Sequence, residues 1–222
     1  MKIFITGARG MVGSNIIEHP SSSMHEILAP TSKELNLLDM ENVQTYIKVN
    51  KPDMIIHAAG FVGGIQANMD QPVKFLVDNM YMGLNILTAS KEHGVKRFMN
   101  LSSSCVYPRG AQNPLSEDLI LKGELEPTNE GYAIAKVACT RLCEYINREN
   151  ESYLYKTVIP CNLYGKYDKF DPEHSHMIPA VISKINKAKN NSLKSIDIWG
   201  DGLARREFMY TADFADFVYY AI

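Results

Sequence analysis

Gly7, Gly10 and Gly13 stand three apart, directly behind the apolar run 2–6 (KIFIT) and at the head of a segment with helical spacing. That placement limits what the chain can become. A strand entering a helix through a glycine-rich turn opens a βαβ unit. The first glycine makes the turn, the second lets the backbone approach a pyrophosphate, and the third lets the helix pack on the strand. The helix N-terminus then offers unpaired N–H groups and a partial positive charge to phosphate. Residues Gly7 to Gly13, with Met11 and Val12 among them, therefore read as a dinucleotide-binding loop.

The rest of the chain continues the alternation. Strands are expected at 2–6, 26–29, 53–58, 96–102, 156–160 and 195–199. Most are apolar through the middle, as strands covered on both faces should be. Helical spacing fills 11–19, 40–50, 72–93 and 129–149. This predicts an α/β fold with a doubly wound parallel sheet. After residue 160 the character changes. Segment 161–176 is polar and aromatic, 178–190 is helical, and 206–222 reads as a helix just begun. We therefore expect a nucleotide-binding domain over 1–160 and a smaller, incomplete substrate region over 161–222. An apolar finish of YYAI without a cap predicts that the natural polypeptide continues.

Bulk properties narrow the function. The 222 residues are 45% hydrophobic and 22% charged, with a net charge of −2. The 23 basic residues form no stripe, so nucleic-acid binding is not expected. No stretch is long and apolar enough to predict a membrane span. Cys105, Cys139, Cys143 and Cys161 lack a zinc-ligand spacing and suit a reducing cytoplasm.

Tyr132 and Lys136 are four apart in a helical segment and so share one face. A free tyrosine, with a pKa of about 10, is a slow acid–base group at neutral pH. A nearby ammonium should favour the phenolate and lower that pKa. The same lysine can bind the nicotinamide ribose. Strand 96–102 ends in a serine cluster at the sheet edge where open parallel sheets bind ligands. At the end of the second strand, Ala29-Pro30-Thr31-Ser32-Lys33 carries no acid for a ribose 2′-hydroxyl. Arg9 and Lys33 can instead meet a 2′-phosphate, which favours NADPH.

GARGMVGS, LNLLD, HAAGFVGGI, LSSSCVYP, LEPTNEGYAIAK, NLYG, HSHMIPA and WGDGLARREF together resemble the GDP-L-fucose synthase family of extended short-chain dehydrogenase/reductases, from residue 1 to about 216. The resemblance implies a Rossmann domain, NADPH, and conversion of GDP-4-keto-6-deoxy-mannose by epimerisation at C3 and C5 followed by reduction at C4. It implies Ser103 as catalytic serine, Tyr132 as proton donor with Lys136 as its partner, and Cys105 with His176 as the epimerising acid–base pair. For the cofactor it implies Asp39, Ala58, Ala59, Asn79, Leu101, Asn162, Leu163 and His176. For the GDP-sugar it implies Ser103, Asn162, Met177, Lys184, Trp199 and Arg206. Two positions depart from the family: Lys184 and Ser32 each stand where an arginine is usual.

Members commonly pair the helices matching 72–93 and 129–149 across a homodimer, and the apolar stripes here allow the same. Enolate chemistry explains the residue set: Ser103 and Tyr132 can hydrogen-bond the oxygen where charge develops, while inversion needs an acid and a base on opposite faces. Other readings of the same residues are a GDP-4-keto-6-deoxy-sugar reductase with little epimerase activity, as on a heptose, an NAD-dependent 4-epimerase or dehydratase, or an NADP(H) sensor without catalysis.

Overall fold

The computed structural model describes residues 1–170, 175–198 and 200–222. Its centre is a five-stranded, all-parallel sheet: β1 (Lys2–Thr6), β2 (Glu26–Leu28), β3 (Met54–His57), β4 (Arg97–Leu101) and β5 (Leu154–Val158), in the order β2-β1-β3-β4-β5. The doubly wound expectation holds. Strand direction of travel reverses between β1 and β3, and the crevice this leaves at their carboxyl ends is where such sheets receive ligands.

Strand alternation divides the side chains between two faces. Ile3, Ile5, Ile56 and Met99 pack with Ile16 of α1 (Met11–Glu18) and with Phe214 and Val218 of α7 (Thr211–Ala221). Phe4, Ile55, Phe98 and Tyr155 face the other way. They pack with Val43 and Ile47 of α2 (Met40–Asn50), Ile86 and Leu87 of α4 (Pro72–Glu92), and Cys139 and Cys143 of α5 (Glu130–Glu149). The contact between α4 and α5 is close: a side chain on Gly83 would meet the Cys139 sulfur at 2.1 Å. Glycine at 83 therefore sets how near α5 lies to the rest of the domain.

Several expectations change. β5 starts two residues earlier than expected, where Leu154 N–H donates to Lys96 O, and it ends before Pro160, which has no N–H to give. No strand forms over 195–198, and residue 199 lies outside the described residues. The Asp197 carbonyl accepts instead from Lys184 Nζ at 2.9 Å. A second, two-stranded parallel sheet was not expected: β6 (Asn162–Tyr164) pairs with β7 (Phe208–Tyr210). A short α3 (Ile65–Asp70) and the helix α6 (Met177–Asn190) complete the α-helices among the described residues. After β7 the chain returns to the first sheet, where α7 packs on α1, and Thr211 at its head donates to Tyr164 O of β6 at 2.7 Å.

On the α4/α5 face, the layer above the apolar one is polar. Thr6, His57, Asn100 and Thr157 stand in register across β1, β3, β4 and β5. The Thr6 hydroxyl lies 2.8 Å from His57 Nδ1 and accepts from Ala59 N–H at 3.2 Å. Asn100 Nδ2 donates to Thr157 Oγ1 at 3.3 Å. Burial, reinforced by the charge of Lys136, holds His57 neutral, with its pKa pushed down to about 3 from 6.5. The unfolded chain binds a proton on this ring near 6.5 and the folded chain does not. Folding stability is therefore complete above that pH and falls as pH drops towards 3, by about 1.4 kcal/mol per pH unit. Replacing His57 with glutamine should remove that slope, as read from urea midpoints between pH 4 and 7; an unchanged slope would show that other groups set it.

Candidate active site

The glycine loop has the expected shape. Gly7 adopts φ +68°, and Gly10 caps α1 in an extended conformation. A Cβ on Gly7 would stand 2.7 Å from the Ala58 carbonyl and from Ala59 N, and one on Gly13 would stand 2.4 Å from Gly7 O. Only glycine fits where the loop, the helix and the strand behind meet this closely. The first turn of α1 carries no side-chain cap, so its N–H groups are open to a phosphate, and Met11 and Val12 form its first two positions.

The opposite wall is the segment after β3. Ala59 N–H is held by Thr6. Asn79 accepts from Phe61 N–H at 2.8 Å and donates to Phe61 O and Phe75 O at 3.0 and 2.7 Å. The Asn79 amide is thus committed to the wall, and it shapes the cofactor site through Gly60 and Phe61. A Cβ on Gly60 would lie 3.2 Å from Asn79 Oδ1 and 3.9 Å from Lys136 Nζ, so Ala58–Gly60 lead straight to the helix α5.

At that helix, Lys136 is buried and its ammonium donates to Leu101 O at 2.8 Å. Burial pushes its pKa down, and the neighbouring cysteines oppose this. One turn earlier, the Tyr132 ring lies with its centroid 5.6 Å from that ammonium and edge-on to Phe75. The sequence expectation of a lowered tyrosine pKa is overturned. Burial pushes the Tyr132 phenol well up, and Cys105 adds to the shift. Lys136 does not reverse it, because it bonds a carbonyl and not the phenol. Tyr132 is therefore held protonated, the state a proton donor needs.

Ser103, two residues past β4, is the N-cap of a short 3-10 turn over 104–106, and Cys105 sits within that turn. Burial raises the Cys105 thiol, while the Ser103 hydroxyl and the Lys136 charge pull towards thiolate. Burial wins, so the thiol form is favoured. Thr140 Oγ1 donates to Ser102 Oγ at 3.3 Å and ties α5 to the start of the same loop. Ser103, Cys105, Tyr132 and Lys136 thus form one cluster.

His176 is the N-cap residue of α6 and is exposed, as is Met177 after it. Ser175 O would lie 3.5 Å from a Cβ on Gly64, so the head of α6 abuts the segment following the Ala58–Gly60 wall. Leu163 packs at the edge of the α1/α7 core, and Asn162 Nδ2 donates to Glu207 O at 3.0 Å. Lys184 Nζ donates to Asp197 O, and Arg206 Nη1 donates to Arg205 O at 2.8 Å. Trp199 lies outside the described residues.

At the adenosine end, Arg9 and Lys33 are both exposed. Asp39 caps α2 by accepting from Asn42 N–H at 3.1 Å. The sequence reading missed Glu34, one residue past the segment searched for an acid. Its carboxylate accepts from Thr31 N–H at 2.7 Å. That bond holds its pKa below the ordinary value, with Arg9 a lesser contributor. Glu34 is occupied with closing the Thr31 turn and places negative charge near Arg9.

A profile of the NAD dependent epimerase/dehydratase family matches residues 3–222. The chain is 59% identical to GDP-L-colitose synthase of Yersinia pseudotuberculosis over its full length and 72% of that protein. It is 50% identical to GDP-L-fucose synthase of Azorhizobium caulinodans over its full length and 70% of that protein. Its fold superimposes with a TM-score of 0.90 on MlghC, a GDP-mannoheptose C4 reductase from Campylobacter jejuni with NADP bound, at 29% identity over 99% of this chain and 72% of that one. With its glycine loop, its Tyr132–Lys136 pair and these relatives, the chain belongs to the NAD dependent epimerase/dehydratase family, in the branch that holds the GDP-L-fucose and GDP-L-colitose synthases.

Proposed function

We propose that this chain catalyses NADPH-dependent epimerisation at C3 and C5 and reduction at C4 of GDP-4-keto-6-deoxy-mannose, yielding GDP-L-fucose. The observation that carries the reading is the cluster of Ser103, Cys105, Tyr132 and Lys136 at the end of β4, with a thiol beside the two hydroxyls. The glycine cradle fits the pyrophosphate of NADPH, through Gly7, Gly10, Met11, Val12 and Gly13. Arg9 and Lys33 meet the 2′-phosphate, Lys136 holds the nicotinamide ribose, and Asp39, Ala58, Ala59, Leu101, Asn162 and Leu163 line the rest. Bound there, NADPH supplies the hydride for C4.

The chain's own groups do the remaining work. Ser103 and Tyr132 donate hydrogen bonds to the C4 oxygen, where enolate charge develops. Protons next to that ketone are thereby acidified. Cys105 and His176 exchange them on opposite faces of the sugar. Tyr132, kept protonated by burial, then gives its proton to the C4 oxygen during reduction. Met177, Lys184, Trp199 and Arg206 serve the GDP-sugar.

The 59% identity to a GDP-L-colitose synthase favours a second reading. Colitose is fucose without the C3 hydroxyl, so the 3-deoxy substrate has only C5 to invert. The likeness to a mannoheptose C4 reductase supports a third, with reduction alone. Reaction in D2O with NADPH separates them. Deuterium at C3 and C5 of the reduced hexose is expected. Turnover confined to the 3-deoxy sugar would replace the first reading with the second, and NADPH oxidation without deuterium at either carbon would leave the third.

Tyr132→Phe should bind NADPH with unchanged affinity and lose about 10²–10⁴ in kcat, the usual worth of a positioned acid. A Phe variant with normal turnover would remove Tyr132 from the role.

We further propose a homodimer. Val73, Val77 and Tyr81 stand exposed at helical spacing on α4, with Ile134 and Tyr145 exposed on the adjacent α5. Two copies joined on this face form a four-helix bundle. Sedimentation equilibrium should give twice the chain mass, and Tyr81→Glu should halve it; a wild-type monomer at micromolar concentration would refute the pairing. The four free cysteines, two of them buried beside each other on α5, suit a reducing compartment and so a cytoplasmic enzyme. Among the described residues no helix is long and apolar enough to cross a membrane.

A further inference from the structure

The connection from β6 towards α6 is fastened to the cofactor helix. Asn15 Nδ2 donates to Lys166 O at 3.0 Å, Lys166 Nζ binds Glu18 at 2.8 Å, and the Tyr167 hydroxyl donates to the same carboxylate. Asp168 comes next, its N–H donating to Gly165 O at 3.3 Å to close a turn. Its carboxylate is unevenly used. Oδ1 accepts from Lys169 N–H at 2.8 Å, whereas Oδ2 is closed off from solvent with no hydrogen-bond partner among the described residues. A carboxylate oxygen shut away from water normally has a donor, so this one calls for a group that arrives during the reaction.

Burial raises the Asp168 pKa, and among the described residues the Lys169 N–H, His176 of α6 and then the Lys169 charge oppose that rise. Lys166 is engaged with Glu18. His176 is the one group of these that the proposed reaction requires to gain and lose a proton. It is also exposed at the head of α6, with no side-chain bond fixing its ring to the helix it caps.

We propose that Asp168 is a positioning residue for His176: its enclosed Oδ2 takes an imidazole N–H when the ring turns to the sugar, fixing the ring and balancing its charge. The inference rests on the epimerase reading above. In the step concerned, a C–H bond next to the ketone breaks and an N–H bond forms on the ring. The electron pair passes to the C4 oxygen under Ser103 and Tyr132. Run in the other direction, the ring gives up its proton. In both directions the imidazole is positive on one side of the transfer, and a fixed carboxylate stabilises that side. Asp168 stays ionised throughout and contributes no proton of its own.

The test uses the full chain, NADPH and the 4-keto sugar in D2O, and compares wild type with Asp168→Asn, Asp168→Glu, His176→Asn and the Asp168→Asn/His176→Asn pair. Asp168→Asn is expected to slow deuterium incorporation at least tenfold, with unchanged NADPH affinity and KM. Asp168→Glu should recover most of the rate, and Asp168→Asn should change the His176→Asn background less than twofold. Equal rates for wild type and Asp168→Asn would overturn the proposal. So would additive losses in the pair, or a fall in NADPH affinity parallel to the loss of exchange, which would make Asp168 a structural residue of the loop. Should Asp168→Asn fail to fold, the glutamate variant alone decides: a folded, exchange-dead Asp168→Glu sinks the charge argument. If wild type itself incorporates no deuterium, the epimerase reading falls and this inference with it, a result distinct from the others.

Discussion

The bond from the Lys136 ammonium to the Leu101 carbonyl fixes the site. It joins α5 to the last residue of β4, and Ser103, Cys105 and Tyr132 are all within a few residues of one of its two ends. Tyr132 is one turn up the helix, and Ser103 and Cys105 are two and four residues past the strand. A buried ammonium is costly, and burial lowers its pKa. The carbonyl at the strand end offsets that cost, and the Thr140–Ser102 bond repeats the tie one helical turn further on. Two hydrogen bonds, at the end of β4 and one residue past it, thus hold Tyr132 and the segment carrying Cys105 together.

That arrangement also explains why the site is assembled from far-apart sequence. The parallel sheet brings the carboxyl ends of β1, β3 and β4 to one edge. Each strand delivers one component there: the glycine loop after β1, the alanine wall after β3, and the Ser103 hydroxyl and Cys105 thiol after β4. The polar row of Thr6, His57, Asn100 and Thr157 lies one step beneath, linking the first two through the Thr6 hydroxyl.

Much of this was legible before any coordinates. Runs such as Ile3-Phe4-Ile5 and Ile55-Ile56 are apolar without interruption because both faces are covered, and that pattern survives in a single sequence. The glycine triplet and the Tyr132–Lys136 spacing are likewise local signals. What escaped was set by distant partners. β6 and β7 are three residues each and exist because residue 162 happens to meet residue 208. The segment 195–198 has strand-like alternation but no neighbour, and its Asp197 carbonyl goes to Lys184. The tyrosine pKa was misjudged because spacing shows that a cation is near and cannot show what it is bonded to. Glu34 was missed because its place is decided by a turn around Thr31 and not by the strand that precedes it.

The contact between Gly7 and the Ala58–Ala59 backbone leaves no room for even one carbon, and Gly13 is as tight against Gly7. The floor of the cofactor crevice is therefore closed to variation by sterics alone. Arg9, Lys33 and Glu34 are exposed at its rim, as are Met177 and Arg206 around the substrate region. Change is sterically available on that rim, so a mutant library aimed there searches positions where side chains can vary without displacing backbone.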